Sequence, residues 1–471
     1  MSSSSLVFAA QRKAPVLVAP AKPTPRELKA LSDIDDQPSL RFYRSGLFFY
    51  RHDPSKAGHD PARAVKEALA RCLVFYYPIA GRLRDQGGPG GKLLVDCNGE
   101  GAVLVDAYAD VSIDDFGPAL IPPIPCADEL LCFPDTSAAD VVDRPLLYIQ
   151  VTRLKCGGFV FGLQICHNIA DAPGVSQFMT ALGELARGAE APAVLPVWER
   201  ALLTARTPPR ITYAHPEYEP LPGDDVISPR DALVHRAFFF GPEEIAALQN
   251  AAPPHLRNCC SRFDLIAAFV WRCRTAALRY RPQDDVRLQF VVNARGKGGS
   301  DPPLPRGFYG NALMFGVASS TAGELRRKPY DYALELVRKA KEGVMAAEGY
   351  LRSTADLMVL RGRPRFATKR TYLVTDLTKA GLDRVDVIGW GRPVYGGPAS
   401  TTLGTFHLLR RNERGEELGV TVPVCLPPEA MERFGAEVES LTKVIGGVRV
   451  SRSSRVTQGL EYYSTGISSR L

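Results

Sequence analysis

Short apolar runs alternate with segments of helical periodicity along this chain. The run from Phe159 to Cys166 is apolar, β-branched and aromatic, which predicts a buried strand. Leu146–Thr152 lies just before it across a turn, so the two runs predict neighbouring strands. Val175–Arg187 carries apolar residues at helical spacing and stops before Gly188, which predicts a helix.

The same mixture continues on both sides of this region. Asp60-Pro61 predicts the N-cap and first residue of a helix, and Ser261-x-x-Asp264 predicts a capping box. Further helices are predicted from Pro242 and over 261–280, 330–347 and 428–445. Further strands are predicted over 92–96, 235–240, 288–293, 372–375, 405–410 and 418–424. Strands and helices mix without internal repeats, which indicates an α/β fold class.

A change in composition divides the chain. Residues 189–229 are rich in proline and polar residues and lack periodicity, which predicts a crossover linker. With 471 residues available, we expect an N-terminal domain over 1–188, a C-terminal domain over 230–450 and a flexible tail over 451–471. His215-Pro-Glu-Tyr-Glu219 lies in the linker, where the prolines favour a loop over a metal-binding helix.

Composition excludes several classes of function. Hydrophobic residues make up 45% of the chain and charged residues 23%, and no stretch approaches the length of a membrane span. Ten scattered cysteines without a C-x-x-C pair predict reduced thiols. The net charge of +7 is dispersed, so we expect no nucleic-acid partner, whereas a polyanionic small molecule would suit it.

One histidine carries the strongest chemical signal. Of the seven histidines, His167 alone has an aspartate, Asp171, at the fourth following position. A histidine where a strand meets a loop is well placed to act as a general base. A purely structural histidine fits the same pattern, and Asp171 also suits a turn before Ala-Pro-Gly174. The chain has no G-x-S-x-G nucleophile motif, and Gly87–Lys92 departs from a phosphate loop.

Four motifs in a fixed order resolve these alternatives. They are Tyr77-Pro-Ile-Ala-Gly-Arg-Leu83, His167 with Asp171, Phe308-Tyr-Gly-Asn311 and Asp386-Val-Ile-Gly-Trp-Gly391. Together they resemble the plant BAHD acyltransferases, which move an acyl group from coenzyme A to an alcohol or amine. The likeness covers nearly the whole chain.

Two positions depart from the family pattern. Ala172 follows Asp171 where the family usually has glycine, and the late motif is one residue longer than the family's Asp-Phe-Gly-Trp-Gly. The resemblance implies two chloramphenicol acetyltransferase-like domains, each a mixed β-sheet flanked by helices. It also implies an active site in a channel at their interface.

The resemblance assigns roles to the candidate residues. His167 would act as general base on the alcohol, with no covalent intermediate, because a neutral imidazole accepts protons at pH 7 and a thioester is already activated. If Asp171 belonged to a catalytic triad, it would orient the imidazole of His167. The family's matching aspartate instead points away and pairs with an arginine that braces the loop, and the match here is Arg295.

Other family positions fall into substrate contacts and scaffold. The resemblance implies coenzyme A contacts at Ser261 and Arg262. It implies acceptor contacts at Thr375 and Asp376, for which a structural turn is the open alternative. It implies scaffold roles for Asp386, Gly389, Trp390, Gly391, Tyr309 and Asn311. We expect acyl-CoA as co-substrate, no metal, no permanently bound cofactor and a monomer.

Two segments bear on the substrates. Leu31–Gln37 and Tyr395–Ala399 look most like the benzyl alcohol benzoyltransferase branch, which predicts benzoyl transfer to benzyl alcohol. Transfer of p-coumaroyl or feruloyl groups to monolignols stays open, as does a non-catalytic binding protein on the same fold.

The last three residues suggest a location. Ser469-Arg470-Leu471 resembles the Ser-Lys-Leu address read by the peroxisomal import receptor, and a chance match is equally open. We therefore expect the protein in peroxisomes or the cytoplasm. Plant peroxisomes shorten cinnamoyl-CoA to benzoyl-CoA, so the address favours benzoyl transfer.

Overall fold

The structure is a computed structural model that describes residues 6–87, 91–132, 141–223, 232–296, 300, 302–401, 404–412, 414–445 and 451–453. The strands in these ranges are β1 Gln11–Arg12, β2 Val16–Val18, β3 Leu28–Ala30, β4 Tyr43–Tyr50, β5 Arg82–Asp85, β6 Leu93–Asp96, β7 Ala102–Ala109, β8 Leu147–Leu154, β9 Phe159–Cys166, β10 Val234–Phe240, β11 Asp285–Asn293, β12 Leu313–Thr321, β13 Thr371–Asp376, β14 Tyr395–Pro398, β15 Thr405–Arg411, β16 Glu417–Leu426 and β17 Ser451–Ser453. The helices are α1 Pro61–Phe75, α2 Ala172–Ala186, α3 Pro242–Ala251, α4 Pro254–Arg257, α5 Arg262–Leu278, α6 Ala322–Arg327, α7 Tyr330–Ala346, α8 Tyr350–Leu360 and α9 Pro428–Ile445.

The first half of the chain builds a mixed sheet in the order β1-β7-β8-β9-β4-β14, with β2 also paired to β7. The β7–β8 pair is parallel and the other pairs are antiparallel. Helix α1 begins where Asp60 caps the N–H of Ala62, and it buries Val65, Leu69 and Cys72 against the sheet and α2. A small sheet, β3-β6-β5, lies beside this core.

The second half builds another mixed sheet in the order β12-β11-β13-β15-β16-β10-β17. Here β13 is parallel to both β11 and β15. Helix α5 begins at the predicted capping box, since Ser261 and Asp264 cap each other, and it buries Leu265, Phe269 and Cys273. Two mixed sheets with flanking helices are the α/β architecture that the sequence predicts.

One late segment returns to the first sheet. Strand β14 pairs with β4 through Tyr395 to Pro398, although the chain has already built most of the second half. Just before it, Leu382, Val385 and Val387 are buried in the first core. The two halves are therefore joined by more than the linker.

Two helix ends differ from the predictions. Helix α2 begins at Ala172, earlier than predicted, because the Asp171 carboxylate caps the Gly174 N–H. Helix α5 ends at Leu278, before the predicted Tyr280, because Arg279 adopts a left-handed conformation with φ of 54°.

The tail predicted from residue 451 is wrong for its first three residues. Ser451–Ser453 form β17 on the open edge of β10, because strand pairing uses backbone groups and needs no apolar side chains. Residues 454–471, including Ser469-Arg470-Leu471, lie outside the described residues.

The linker segment is mostly irregular. Between residues 189 and 223 the structure has short 3₁₀ turns at Arg200–Leu203 and Pro216–Tyr218 and no α-helix. His215 bonds Glu217 at 3.0 Å and the Ser353 hydroxyl at 2.9 Å. That hydroxyl also accepts two backbone N–H groups and is fully buried, so this Ser-His-Glu string is structural.

The described ranges contain neither a membrane-spanning helix nor a cluster of metal ligands. None of the helices there has the length and apolar character needed to cross a membrane. Within the same ranges, no group of three or more histidine, cysteine or acidic side chains is arranged to hold a metal ion.

Candidate active site

A channel of about 430 Å³ lies between the two sheets. Its walls come from β4, β9 and α2 on one side and from β11, β13, β15 and α5 on the other. It is lined by six of the residues predicted to act near substrate, namely His167, Asp171, Ser261, Arg262, Thr375 and Asp376. Residues that are far apart in the sequence therefore meet in one cavity.

His167 is held by its backbone at the end of β9. Its N–H donates to the Phe42 carbonyl at 2.9 Å, and its carbonyl accepts from Asn311 Nδ2 at 2.7 Å. The half-buried imidazole lies against the Phe42 ring, with 5.2 Å between ring centroids. The main chain is anchored on both sides, so the ring is presented to the channel from a rigid support.

The imidazole itself has free hydrogen-bonding capacity. Among the described residues, nothing is bonded to His167 Nδ1, although that atom is buried. Burial, helped by the charge of Arg44, lowers the pKa of His167 to about 4. The ring is therefore neutral at pH 7 and able to accept a proton.

Asp171 faces away from the imidazole. Arg295 donates to both carboxylate oxygens, at 2.8 and 2.9 Å, and the N–H groups of Gly174 and Ala312 donate to them at 3.0 and 3.1 Å. In the described part of the chain no hydrogen bond joins Asp171 to His167. This geometry matches a brace across the two halves and not a triad.

The segment after Asp171 needs a glycine at position 174 but tolerates a larger residue at position 172. A Cβ atom on Gly174 would lie 2.1 Å from the Tyr309 carbonyl oxygen, so only glycine fits there. Ala172, where the family usually has glycine, is half-buried and lines the channel. The methyl group at that position is accommodated.

A buried polar network supports the catalytic loop from behind, and Asn311 is its only member for which the sequence predicts a scaffold role. The Asp35 carboxylate accepts from the N–H and Nδ2 of Asn311 at 2.9 and 2.8 Å and pairs with Arg200 at 3.3 Å. Arg200 also donates to the Ile169 carbonyl at 2.8 Å, and Asn168 donates to the Asp35 carbonyl at 2.6 Å. The sequence around Asp35 has three aspartates within four residues, which is more typical of a solvated loop.

The predicted coenzyme side is rich in donors. Ser261 caps α5, and Lys341 donates to its hydroxyl at 3.0 Å and to Asp264 at 2.9 Å. Arg262 forms an ion pair with Glu417. A helix N-terminus beside two cations suits a phosphate group. Lys341 was not found from the sequence, because it lies on α7, far along the chain.

The predicted acceptor side has features of both a substrate contact and a structural turn. Thr375 and Asp376 line the channel, and Asp376 also accepts from the Thr378 N–H and hydroxyl at 3.0 and 2.6 Å, which is a turn. His407 of β15 lies beside them, unpredicted and only 1% exposed. Burial lowers its pKa to about 4, and its Nε2 has no partner within the described ranges.

Comparison with known proteins identifies the family. Residues 11–441 match the Transferase family. Benzyl alcohol O-benzoyltransferase of Petunia hybrida is 52% identical over 448 residues, which cover 94% of this chain and 95% of that protein. The chain is a member of the BAHD acyltransferase family. It is therefore an acyltransferase, and the resemblance seen in its motifs is confirmed.

Solved structures agree on the fold. Vinorine synthase superposes with a TM-score of 0.70 at 23% identity, covering 92% of this chain and 98% of that one. TRI101 of F. sporotrichioides, complexed with coenzyme A and T-2, superposes with a TM-score of 0.68 at 20% identity, covering 88% and 98%. These likenesses confirm the predicted two-domain α/β fold.

The family's late motif lies outside the channel lining. Asp386 accepts from the N–H groups of Gly389 and Trp390 at 2.6 and 2.9 Å, and Gly389 and Gly391 have φ values of 79° and 84°. Trp390 packs edge-on against Phe159, with 5.0 Å between ring centroids. The motif closes a turn that packs on the strand leading to His167.

The Phe308–Asn311 motif also acts from behind the channel. Tyr309 is buried with its ring 5.2 Å from Tyr76, and Arg200 lies over it. Asn311 is fully buried and connects Asp35 to the His167 carbonyl. Neither residue lines the channel.

Proposed function

We propose that this protein transfers a benzoyl group from benzoyl-CoA to benzyl alcohol, producing benzyl benzoate and coenzyme A, with His167 as general base. The observation that carries the proposal is the neutral imidazole of His167, which lines the channel between the two sheets. The relative from Petunia hybrida, at 52% identity, supports the choice of substrates.

The chemistry needs few groups. The alcohol oxygen attacks the thioester carbonyl carbon while the His167 imidazole takes the hydroxyl proton. The tetrahedral intermediate then expels the coenzyme A thiolate, which receives that proton from the imidazolium. No bond to the protein forms. Asp171 and Arg295 contribute by holding the loop, since their charges neutralise each other.

Coenzyme A would enter beside the N-terminus of α5. Ser261, Arg262 and Lys341 supply donors and positive charge for its phosphates. Thr375 and Asp376 would contact the acceptor. In this proposal coenzyme A is a co-substrate that leaves after each turnover, and the enzyme acts as a monomer.

A release assay for free thiol tests the proposal. The purified protein is given benzoyl-CoA, p-coumaroyl-CoA or feruloyl-CoA with benzyl alcohol or a monolignol, and the ester is identified by mass. We expect the highest kcat/KM for benzoyl-CoA with benzyl alcohol. Preference for the hydroxycinnamoyl donors would favour the monolignol alternative, and no thiol release with any pair would favour a binding protein.

The C-terminal Ser469-Arg470-Leu471 further supports a peroxisomal location, where benzoyl-CoA is made. An N-terminal fluorescent fusion leaves the terminal carboxylate free and should accumulate in peroxisomes. Deleting the three residues should move it to the cytosol with activity and stability unchanged. A diffuse signal from the intact fusion would contradict this location.

A further inference from the structure

Arg44 is a cation in the channel wall to which the proposed mechanism assigns no role. It lies on β4, lines the same cavity as His167, and is exposed there. Across the described residues its guanidinium contacts two aromatic rings and makes no ion pair or hydrogen bond with protein. Its N–H donors are therefore open to a ligand in the channel.

The contacts of Arg44 with two aromatic rings indicate which of its atoms remain available to a ligand. Its guanidinium carbon is 4.8 Å from the centre of the Phe42 ring and 5.7 Å from that of Phe406. Contacts of this kind are made with the face of an aromatic ring and use no conventional hydrogen-bond acceptor. The N–H groups therefore remain available to an acceptor with two oxygens.

The acidic groups of the channel are already engaged. Asp171 is bonded to Arg295, and Asp376 accepts from Thr378. An arginine side chain is charged at neutral pH. Neither carboxylate forms an ion pair with Arg44.

We propose that Arg44 selects an acyl acceptor that carries a carboxylate, so that the preferred substrates are benzylic alcohols bearing this group. A carboxylate offers the two in-plane oxygens that a guanidinium fork binds best. This inference rests on the proposed function, because it requires acyl transfer to an alcohol at His167.

The phosphates of coenzyme A are a poorer match for Arg44. The pantetheine arm separates the reactive sulfur from the phosphates, whereas Arg44 contacts the same Phe42 ring as the catalytic imidazole. The cations suited to phosphate, Arg262 and Lys341, belong to the second half of the chain. Arg44 belongs to the first sheet, on the other wall of the channel.

The test compares matched acceptors and variants. Benzyl alcohol is compared with 2-, 3- and 4-(hydroxymethyl)benzoate, with benzoyl-CoA as donor, and direct binding of each alcohol is measured by calorimetry. The variants are Arg44→Gln, Arg44→Lys, which keeps the charge but not the fork, and Arg51→Gln. Arg51 follows the same strand, is exposed and pairs with Asp114 outside the channel, so it is the matched control.

We expect one of the carboxylated alcohols to bind about 10- to 100-fold more tightly than benzyl alcohol, the range of a charge-assisted hydrogen bond. Arg44→Gln should remove this preference, so that the carboxylated alcohols bind no more tightly than benzyl alcohol. Arg44→Lys should keep part of the preference, and Arg51→Gln should keep all of it. Equal binding of all alcohols by the unmodified protein, or a preference that survives in Arg44→Gln, would overturn the inference.

Two further outcomes separate this inference from the proposed function. Tight, Arg44-dependent binding of a carboxylated alcohol without turnover of any alcohol would overturn benzoyl transfer and support the Arg44 assignment. A preference for succinyl-CoA over benzoyl-CoA, lost in Arg44→Gln, would place the carboxylate on the acyl group and overturn the acceptor assignment.

Discussion

The two sides of the catalytic loop differ in how their charged side chains are paired. Behind the loop, Asp35 and Arg200 are buried, form an ion pair and bond to Asn311 or to the loop backbone. On the channel side, the His167 imidazole is neutral, and the Arg44 guanidinium forms no ion pair with the described residues. The loop is therefore fixed from its buried side, and its channel side is left open to a ligand.

Removing the channel-side base should have the largest effect. His167→Ala deletes a general base, and we expect kcat to fall about 10²- to 10⁴-fold with benzoyl-CoA and saturating alcohol. The melting temperature should stay the same, because the backbone of residue 167 makes the anchoring bonds. The exposed His59→Ala is the control and should keep full activity. Normal turnover in His167→Ala would exclude the assigned role.

Breaking the brace should affect stability more than chemistry. Asp171→Ala or Arg295→Ala leaves the partner charge uncompensated in a mostly buried site, and we expect a loss of about 3 kcal/mol in the free energy of unfolding. Denaturant unfolding of both single variants and the double variant should reveal coupling between them. Asp171→Asn with normal stability but very low kcat would instead indicate a triad.

The network behind the loop offers a closely matched pair of variants. Asp35→Asn weakens the bonds to Arg200 and Asn311, and we expect about 2 kcal/mol lower stability and a kcat reduced by less than about tenfold. Asp33, equally buried, pairs with Arg363 and Lys92 instead.

Asp33→Asn should therefore lower stability without changing kcat, whereas Asp35→Asn should change both. Unfolding by denaturant and steady-state kinetics on the two proteins measure this difference. The same kcat loss in both variants would mean that Asp35 has no specific part in positioning His167.

The smallest effect concerns pH. A base with a pKa of about 4 is neutral above that value, so kcat/KM should be constant near neutral pH and fall as the pH drops through about 4. Arg44→Gln removes a nearby positive charge and should move this fall toward higher pH. Activity regained on return to pH 7 separates titration from unfolding. A fall near the ordinary histidine pKa of about 6.5 in the unmodified protein would contradict the buried environment.

The difference between local and long-range contacts explains how much could be predicted from the sequence. The strand before His167 and helix α2 after it follow from local periodicity, and they were predicted with small errors at the ends. The contact of Asp171 with Arg295 joins positions 124 apart. It was expected from the family resemblance alone, because no local pattern encodes a long-range ion pair.

Arg44 and Asp35 were missed for physical reasons. An arginine in a strand suggests a solvent-facing position, and Arg44 is indeed exposed, but to an internal channel. Three aspartates within Leu31–Gln37 suggest a solvated turn, yet all three are buried because cations from distant segments neutralise them. In both cases the residues that determine the environment of the side chain lie in another part of the chain.

The pairing of β4 with β14 has a consequence for synthesis of the protein on the ribosome. Residues 43–50 emerge early, but their partner strand, Tyr395–Pro398, is made about 350 residues later, which takes roughly 20–70 s at typical elongation rates of about 5–20 residues per second. During that interval this edge of β4 has no strand beside it and is open to pairing with other chains. Nascent chains of this enzyme should therefore depend on chaperones until β14 has left the exit tunnel.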